Sequence, residues 1–191
     1  MKHPVFLLSP VLMVADYFLT LAAATIHERR HAKQFPQENY ELNPVWQKSI
    51  AQRKWFNPRH LFLVALTCGL LALLFEVTAL PDPLAECLLG ALFVAEGMLV
   101  GRHVSNILIY RRMARTPEQV TGQVTMSHAV TLSVSAYHYL TVAVPLVLVA
   151  LVDPTPAVLG GVLGAVSMFL AHGIWIWRHR RTLARQVGEP K

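Results

Sequence analysis

Five long apolar stretches alternate with short polar segments along this chain. They run from about Pro4 to Ile26, Leu61 to Leu80, Pro83 to Gly101, Ala129 to Val152 and Pro156 to Trp177. Each can cross a hydrocarbon core of roughly 30 Å, which takes about 20 helical residues. None shows the strict alternation of a barrel strand, and an isolated strand in lipid leaves its backbone groups unpaired. The pattern predicts an all-α polytopic membrane bundle with five transmembrane helices, a single membrane domain over residues 1–191.

Composition agrees, at 54% hydrophobic and only 15% charged residues; soluble domains carry about a quarter charged. The net charge of +6 suggests a nucleic-acid partner until the charges are placed on the chain. Of the 17 Lys and Arg residues, all but Lys2 fall between spans one and two, between spans three and four, or in the tail 178–191. The positive-inside rule then predicts an N-terminus outside, a cytoplasmic C-terminus, and residence in the cell's inner (plasma) membrane. The expected partner is the lipid bilayer and not nucleic acid. A cleaved signal peptide fits poorly, because the cations follow the first apolar stretch instead of preceding it. Cys68 and Cys87 fall at different depths, so neither a disulfide nor a metal pair is expected.

The longest polar segment is the predicted cytoplasmic loop, residues 27–60. Asn is a good helix N-cap and Pro suits the first helical position, so Asn57-Pro58 should start span two. Asn43-Pro44 should likewise start a short helix carrying Trp46 and Ile50, with Trp55 and Phe56 at its end. That pattern predicts a helix on the membrane surface; the alternative is an irregular loop folded over the helix ends. The third helix should continue past the membrane from Arg102 to Arg115.

Polar side chains stand where lipid should be. Asp16 lies about ten residues from the charged end of span one, roughly 15 Å deep, with Thr20 on the same face. A central Asp costs about 2.5–3.5 kcal/mol on insertion scales, so it turns toward a partner or a cavity. Glu96 sits mid-span between small residues, and the pair Gly97 and Gly101 should let another helix approach closely and shield it. His103, Asn106 and Tyr110 continue its stripe. Span four offers His128, Thr131, Ser135 and His138 on one face, beside Tyr137. Span five offers His172 and a small-residue face of Gly160, Gly161, Gly164 and Ala165, for packing within the bundle or across a dimer. Matching depths predict one polar cavity around Asp16, Glu96 and His138, with Thr20 and Tyr137 in its wall. The plain structural alternative is a protonated Asp hydrogen-bonded to a neighbouring helix, with small polar residues gluing helices together.

Asp16-x-x-x-Thr20 followed by Glu41-Leu42-Asn43-Pro44 resembles an uncharacterised family of small bacterial and archaeal polytopic membrane proteins. In that family an Asp-x-x-x-Thr span precedes a Glu-x-Asn-Pro motif. The resemblance covers about the first 60 residues, and the loop between the motifs is longer here. It implies that Asp16, Thr20, Glu41 and Asn43 form one unit, and it brings no activity. In physical terms, Glu41 and Asn43 would cap the cytoplasmic mouth beneath Asp16.

Midplane acids with a His, a Pro in span four and Gly-rich contacts point first to proton- or cation-coupled transport. The alternatives are an accessory or assembly subunit of a larger membrane complex, with a homo-oligomer also expected, and a haem-b-binding subunit. For haem, His60, His103, His128 and His172 would supply axial ligands. Beyond that alternative no cofactor is expected, and the sequence leaves a metal open. An enzyme is the weakest reading, because no nucleophile triad, HExxH or CxxC motif is present.

Overall fold

The computed structural model describes residues 4–36, 40–78 and 80–188, and these are mainly helical with no strand among them. Lys2 and Lys191, used above for topology, lie outside the described residues. Helix α1 spans Leu8–Ile26, entered through a 3-10 turn at Pro4–Leu7 and extended by a π-helical turn at His27–His31. A short α2 covers Gln47–Ala51. Helix α3, Pro58–Ala72, continues as a π-helical turn, Leu73–Val77. Helices α4 (Asp82–Arg115), α5 (His128–Val152) and α6 (Pro156–Gly188) complete the chain. With their extensions, α1, α3, α4, α5 and α6 are long and apolar enough to cross a membrane.

Local chemistry accounts for the boundaries. Asn57 caps α3 by accepting a hydrogen bond from the His60 N–H, with Pro58 at the first helical position. Ser127 caps α5 through the Val130 N–H. Helix α4 runs unbroken for 34 residues, about 51 Å at 1.5 Å per residue. It therefore outruns the hydrocarbon core, as the stripe past Gly101 predicts.

The bundle has α4 at its centre. Helix α1 packs on one side of α4 and α6 on the other; α3 then packs on α1, and α5 on α6. Glycine makes the α4–α6 contact possible. A Cβ on Gly160 would stand 1.9 Å from the Cys87 carbonyl oxygen, and one on Gly164 2.2 Å from that of Ala91. A Cβ on Gly90 would meet the Ala157 oxygen at 2.1 Å. The small-residue face of α6 thus packs within the bundle. The close approach expected at Gly97 and Gly101 is not found, since a Cβ at either would meet nothing within 4 Å. Helix α6 meets α4 earlier, at Cys87 to Ala91, and that displaces the contact from Glu96.

The two ends of the bundle are plugged differently. At the turn end, Phe6 stacks on Phe75 with ring centroids 5.5 Å apart, over Leu71, Ala85 and Leu89. At the loop end, α2 tucks Ile50 against Tyr17, Leu21 and Ala24 of α1, beside Tyr40 and Trp46. The turn does begin at Asn43, whose carbonyl accepts from the Trp46 and Gln47 N–H groups, but regular helix starts only at Gln47. This helix turns Ile50, with Trp46 beside it, inward against the bundle. Trp55 and Phe56 stay exposed, at 75% and 57%.

Candidate functional site

Helix spacing assembles a polar chamber on the loop side of the glycine contact. On α1, Ser9, Asp16 and Thr20 share one face, since seven and four residues are close to whole helical turns. On α4, Glu96 and His103 repeat the seven-residue step. Helices α1 and α4 run in the same direction, so the two steps form rungs. Ser9 Oγ donates to Glu96 Oε1 at 2.7 Å, and Asp16 Oδ1 lies 3.3 Å from His103 Nε2. Met168, His172 and Trp175 of α6, His60 of α3 and the segment Glu41–Asn43 with Trp46 close a cavity of about 290 Å³.

The hydrogen bonds fix the histidine tautomers. Thr20 Oγ1 gives its one proton to the Asp16 carbonyl at 2.7 Å and sits 3.0 Å from His103 Nε2. The hydroxyl must accept there, so His103 carries its proton on Nε2 and its Nδ1, when neutral, is a bare acceptor. His172 donates from Nδ1 to the Met168 carbonyl at 2.9 Å and accepts from Ser135 Oγ at Nε2 at 3.0 Å. Ser135 Oγ in turn accepts from Arg102 Nη1. This chain of bonds occupies both nitrogens of His172 and one N–H of the Arg102 guanidinium. His60 stacks on Tyr17 at 4.4 Å and meets Trp46 edge-on. Its Nε2 has no hydrogen-bond partner.

Asp16 Oδ1, Glu96 Oε2, His60 Nε2 and His103 Nδ1 are buried without a hydrogen-bond partner. Buried polar atoms are nearly always paired, by protein, water or ligand. All four residues line the chamber.

Glu41 occupies a junction. It lines the chamber, a side cavity of about 170 Å³ between α4 and α5, and a vestibule of about 340 Å³ beside α2. Burial pushes its carboxyl up to about 7, against the Asn43 N–H bond and the Arg102 charge, which pull it down. Asn43 N–H donates to Glu41 Oε1 at 2.7 Å. Burial likewise raises the Tyr40 phenol, whose oxygen accepts from Asn106.

Of the residues singled out by sequence, Asp16, Glu96, Glu41, Asn43, His60, His103 and His172 line the chamber. Thr20 is buried behind it at 2% exposure. Two placements need correction. His138 lines the side cavity instead, with Arg102 and Thr131, and Tyr137 is 60% exposed on the outer face. The reason is that α5 packs on α6 and buries Leu132, Ser135, Ala136, Tyr139 and Ala143, leaving residues 137 and 138 on the other side. His128 lies against His179, ring centroids 5.1 Å apart, and does not line the chamber. Among the described residues, no group of three or more His, Cys, Asp or Glu side chains is arranged to hold a metal ion.

Sequence reasoning missed Ser9, which is fully buried on Glu96, and Arg102, counted only as a topology charge. Each left a signal: Ser9 lies one heptad before Asp16, and Arg102 adjoins His103 on the polar stripe. No protein-family model, curated protein or solved structure matches the chain.

Proposed function

We propose that this protein is a transporter of the inner (plasma) membrane, N-terminus outside, that exchanges protons or another cation through the chamber. Asp16 is the exchanging group, and Glu41 stands on the cytoplasmic path to it. The observation supporting this reading is the meeting of three carboxylates, Asp16, Glu41 and Glu96, in one cavity walled by membrane-spanning helices. Ionisable groups at such positions are costly and mark ion pathways. Asp16→Asn keeps the size and hydrogen bonding of the side chain, so it should preserve the fold while abolishing pH-dependent flux in proteoliposomes. His138→Ala, in the side cavity, should leave flux near wild type. Purified protein that moves no proton or common cation would falsify the reading.

One observation favours a second reading, an accessory subunit or oligomer. Gly97 and Gly101 form an uncovered small-residue pair on α4, the kind of face that joins helices in membranes. Co-purification with other subunits in mild detergent, lost in Gly97→Leu, would support it.

A further inference from the structure

Arg102 has more donors than partners. One guanidinium N–H goes to Ser135 Oγ, and among the described residues the side chain forms no ion pair. It is half-buried and lines the side cavity of about 170 Å³, so its other donors are within reach of a guest there.

That cavity is a cleft between two helices that lean on a third. Helices α4 and α5 both pack on α6. Between them Arg102 and Asn106 form one wall, and Thr131, Ser135 and His138 the other. Val134 and His138 on its rim are exposed, so the cleft opens outward from the bundle, toward lipid. Arg102 is the first residue beyond the apolar stretch ending at Gly101, which sets it at the level of the headgroups. Basic pockets between transmembrane helices at this level are suited to lipid headgroups.

Charge and geometry narrow the guest. A guanidinium calls for an anion, and its planar fork matches phosphate oxygens. Glu41 does not fill that role, because its carboxyl accepts from the Leu42 and Asn43 N–H groups. Asp16 and Glu96 line the chamber and not the cleft. His138 offers a donor nitrogen in either charge state, and Asn106 has a second amide N–H beyond the one given to Tyr40. No carboxylate in the cleft is free to pair with an ammonium, and Arg102 repels one, so a zwitterionic headgroup is disfavoured. An acyl chain has a path as well. Val130, Val134, Tyr137, Val144 and Leu148 form one exposed stripe of α5, bordering the opening and running toward the turn end.

We propose that the α4–α5 cleft binds an anionic phospholipid, its phosphate on Arg102 and His138 and an acyl chain along the exposed stripe of α5. This site goes beyond the transport reading and does not depend on it.

The test is native mass spectrometry of the full chain in detergent, titrated with dioleoyl phosphatidylglycerol, dioleoyl phosphatidylcholine, dioleoylglycerol and inorganic phosphate. Phosphatidylglycerol should bind tightest. Dioleoylglycerol, which lacks the phosphate, should be about tenfold weaker, the scale of one lost charged hydrogen bond. Phosphatidylcholine should be at least about threefold weaker. Inorganic phosphate, without a chain for the stripe, should be weaker than phosphatidylglycerol. Arg102→Gln should weaken phosphatidylglycerol about tenfold and His138→Leu about threefold. Arg115→Gln, which removes an exposed cation at the end of α4, should change it by no more than about twofold. If Arg102→Gln does not fold, His138→Leu carries the test, because His138 is exposed on the rim. Equal binding of the two phospholipids overturns the proposal, as does wild-type affinity in the folded variants. Inorganic phosphate as tight as phosphatidylglycerol overturns it in favour of a free-anion site. A loss in Arg115→Gln equal to that in Arg102→Gln overturns it in favour of diffuse charge attraction.

Discussion

Helix α4 has two halves that solve opposite problems. Toward the turn end, Cys87, Gly90 and Ala91 lie backbone to backbone against Ala157, Gly160 and Gly164, with no room for even a Cβ. Toward the loop end the same two helices present Glu96, Arg102, His103, His172 and Trp175 across open space. In lipid, apolar side chains gain little by leaving one hydrocarbon for another, so close contact between small residues does the holding. Concentrating that contact in one half leaves the other free to carry unpaired polar atoms without losing the bundle.

This contrast can be broken from either side. The largest effect is expected from Gly164→Val, whose side chain would collide with the Ala91 carbonyl. Overpacking of this kind costs about 3 kcal/mol and should appear as a sharply lowered thermal midpoint in detergent. Next comes Arg102→Met, which keeps the stem but removes the charged donor to Ser135. The loss of one charged hydrogen bond is worth about 1.5–3 kcal/mol, read by the same melt. Glu41→Gln should act only through pH. Its carboxyl sits near 7 in the fold against an ordinary 4.5, so between those values the folded state holds a proton that the unfolded state has lost. Stability from this group is therefore full below about pH 4.5, falls as pH rises to about 7, and levels off above. The Gln variant should match wild type at pH 4 and exceed it at pH 8. The smallest effect is expected at Gly97→Ala, within about 0.5 kcal/mol, since nothing lies over that position. A large loss there in purified monomer would mean that the tight and open halves have been drawn in the wrong place.

Much of this architecture was legible before any coordinates. Span number followed from the apolar blocks, and the start of α3 from Asn57-Pro58, because length, hydropathy and capping are local properties. Asp16 and Thr20 announced themselves by sharing a helical face in lipid. What stayed hidden was which helix stands beside which. Depth matching nominated His138 as the partner of Asp16, but α1 packs on α4, so His103 takes that place. Gly97 and Gly101 carried the usual spacing for a close crossing and Gly90 did not, yet the crossing is at Gly90. Pairwise spacing within one helix says nothing of the neighbour that must supply the complementary face. Arg102 was obscured for a related reason: a cation at a helix end looks the same whether it faces water or reaches back to Ser135.

The chamber's boundary has one weak side, and this sets a clock. Its other walls are helices, but toward the loop end it is closed by the segment Glu41–Trp46, with Leu42 buried at its centre. The hydrogen bonds Asn43 N–H to Glu41 and Val45 N–H to Asn43 lie within that segment. Its ties to the bundle include the Tyr40–Asn106 bond and the edge of Trp46 on His60. The segment takes no part in the direct contacts of α4 with α1 and α6 or of α5 with α6. Loop segments move in nanoseconds to microseconds, whereas packed helices shift in microseconds to milliseconds. Exchange between chamber and vestibule should therefore run on the faster timescale, and any passage through the glycine-locked end on the slower one.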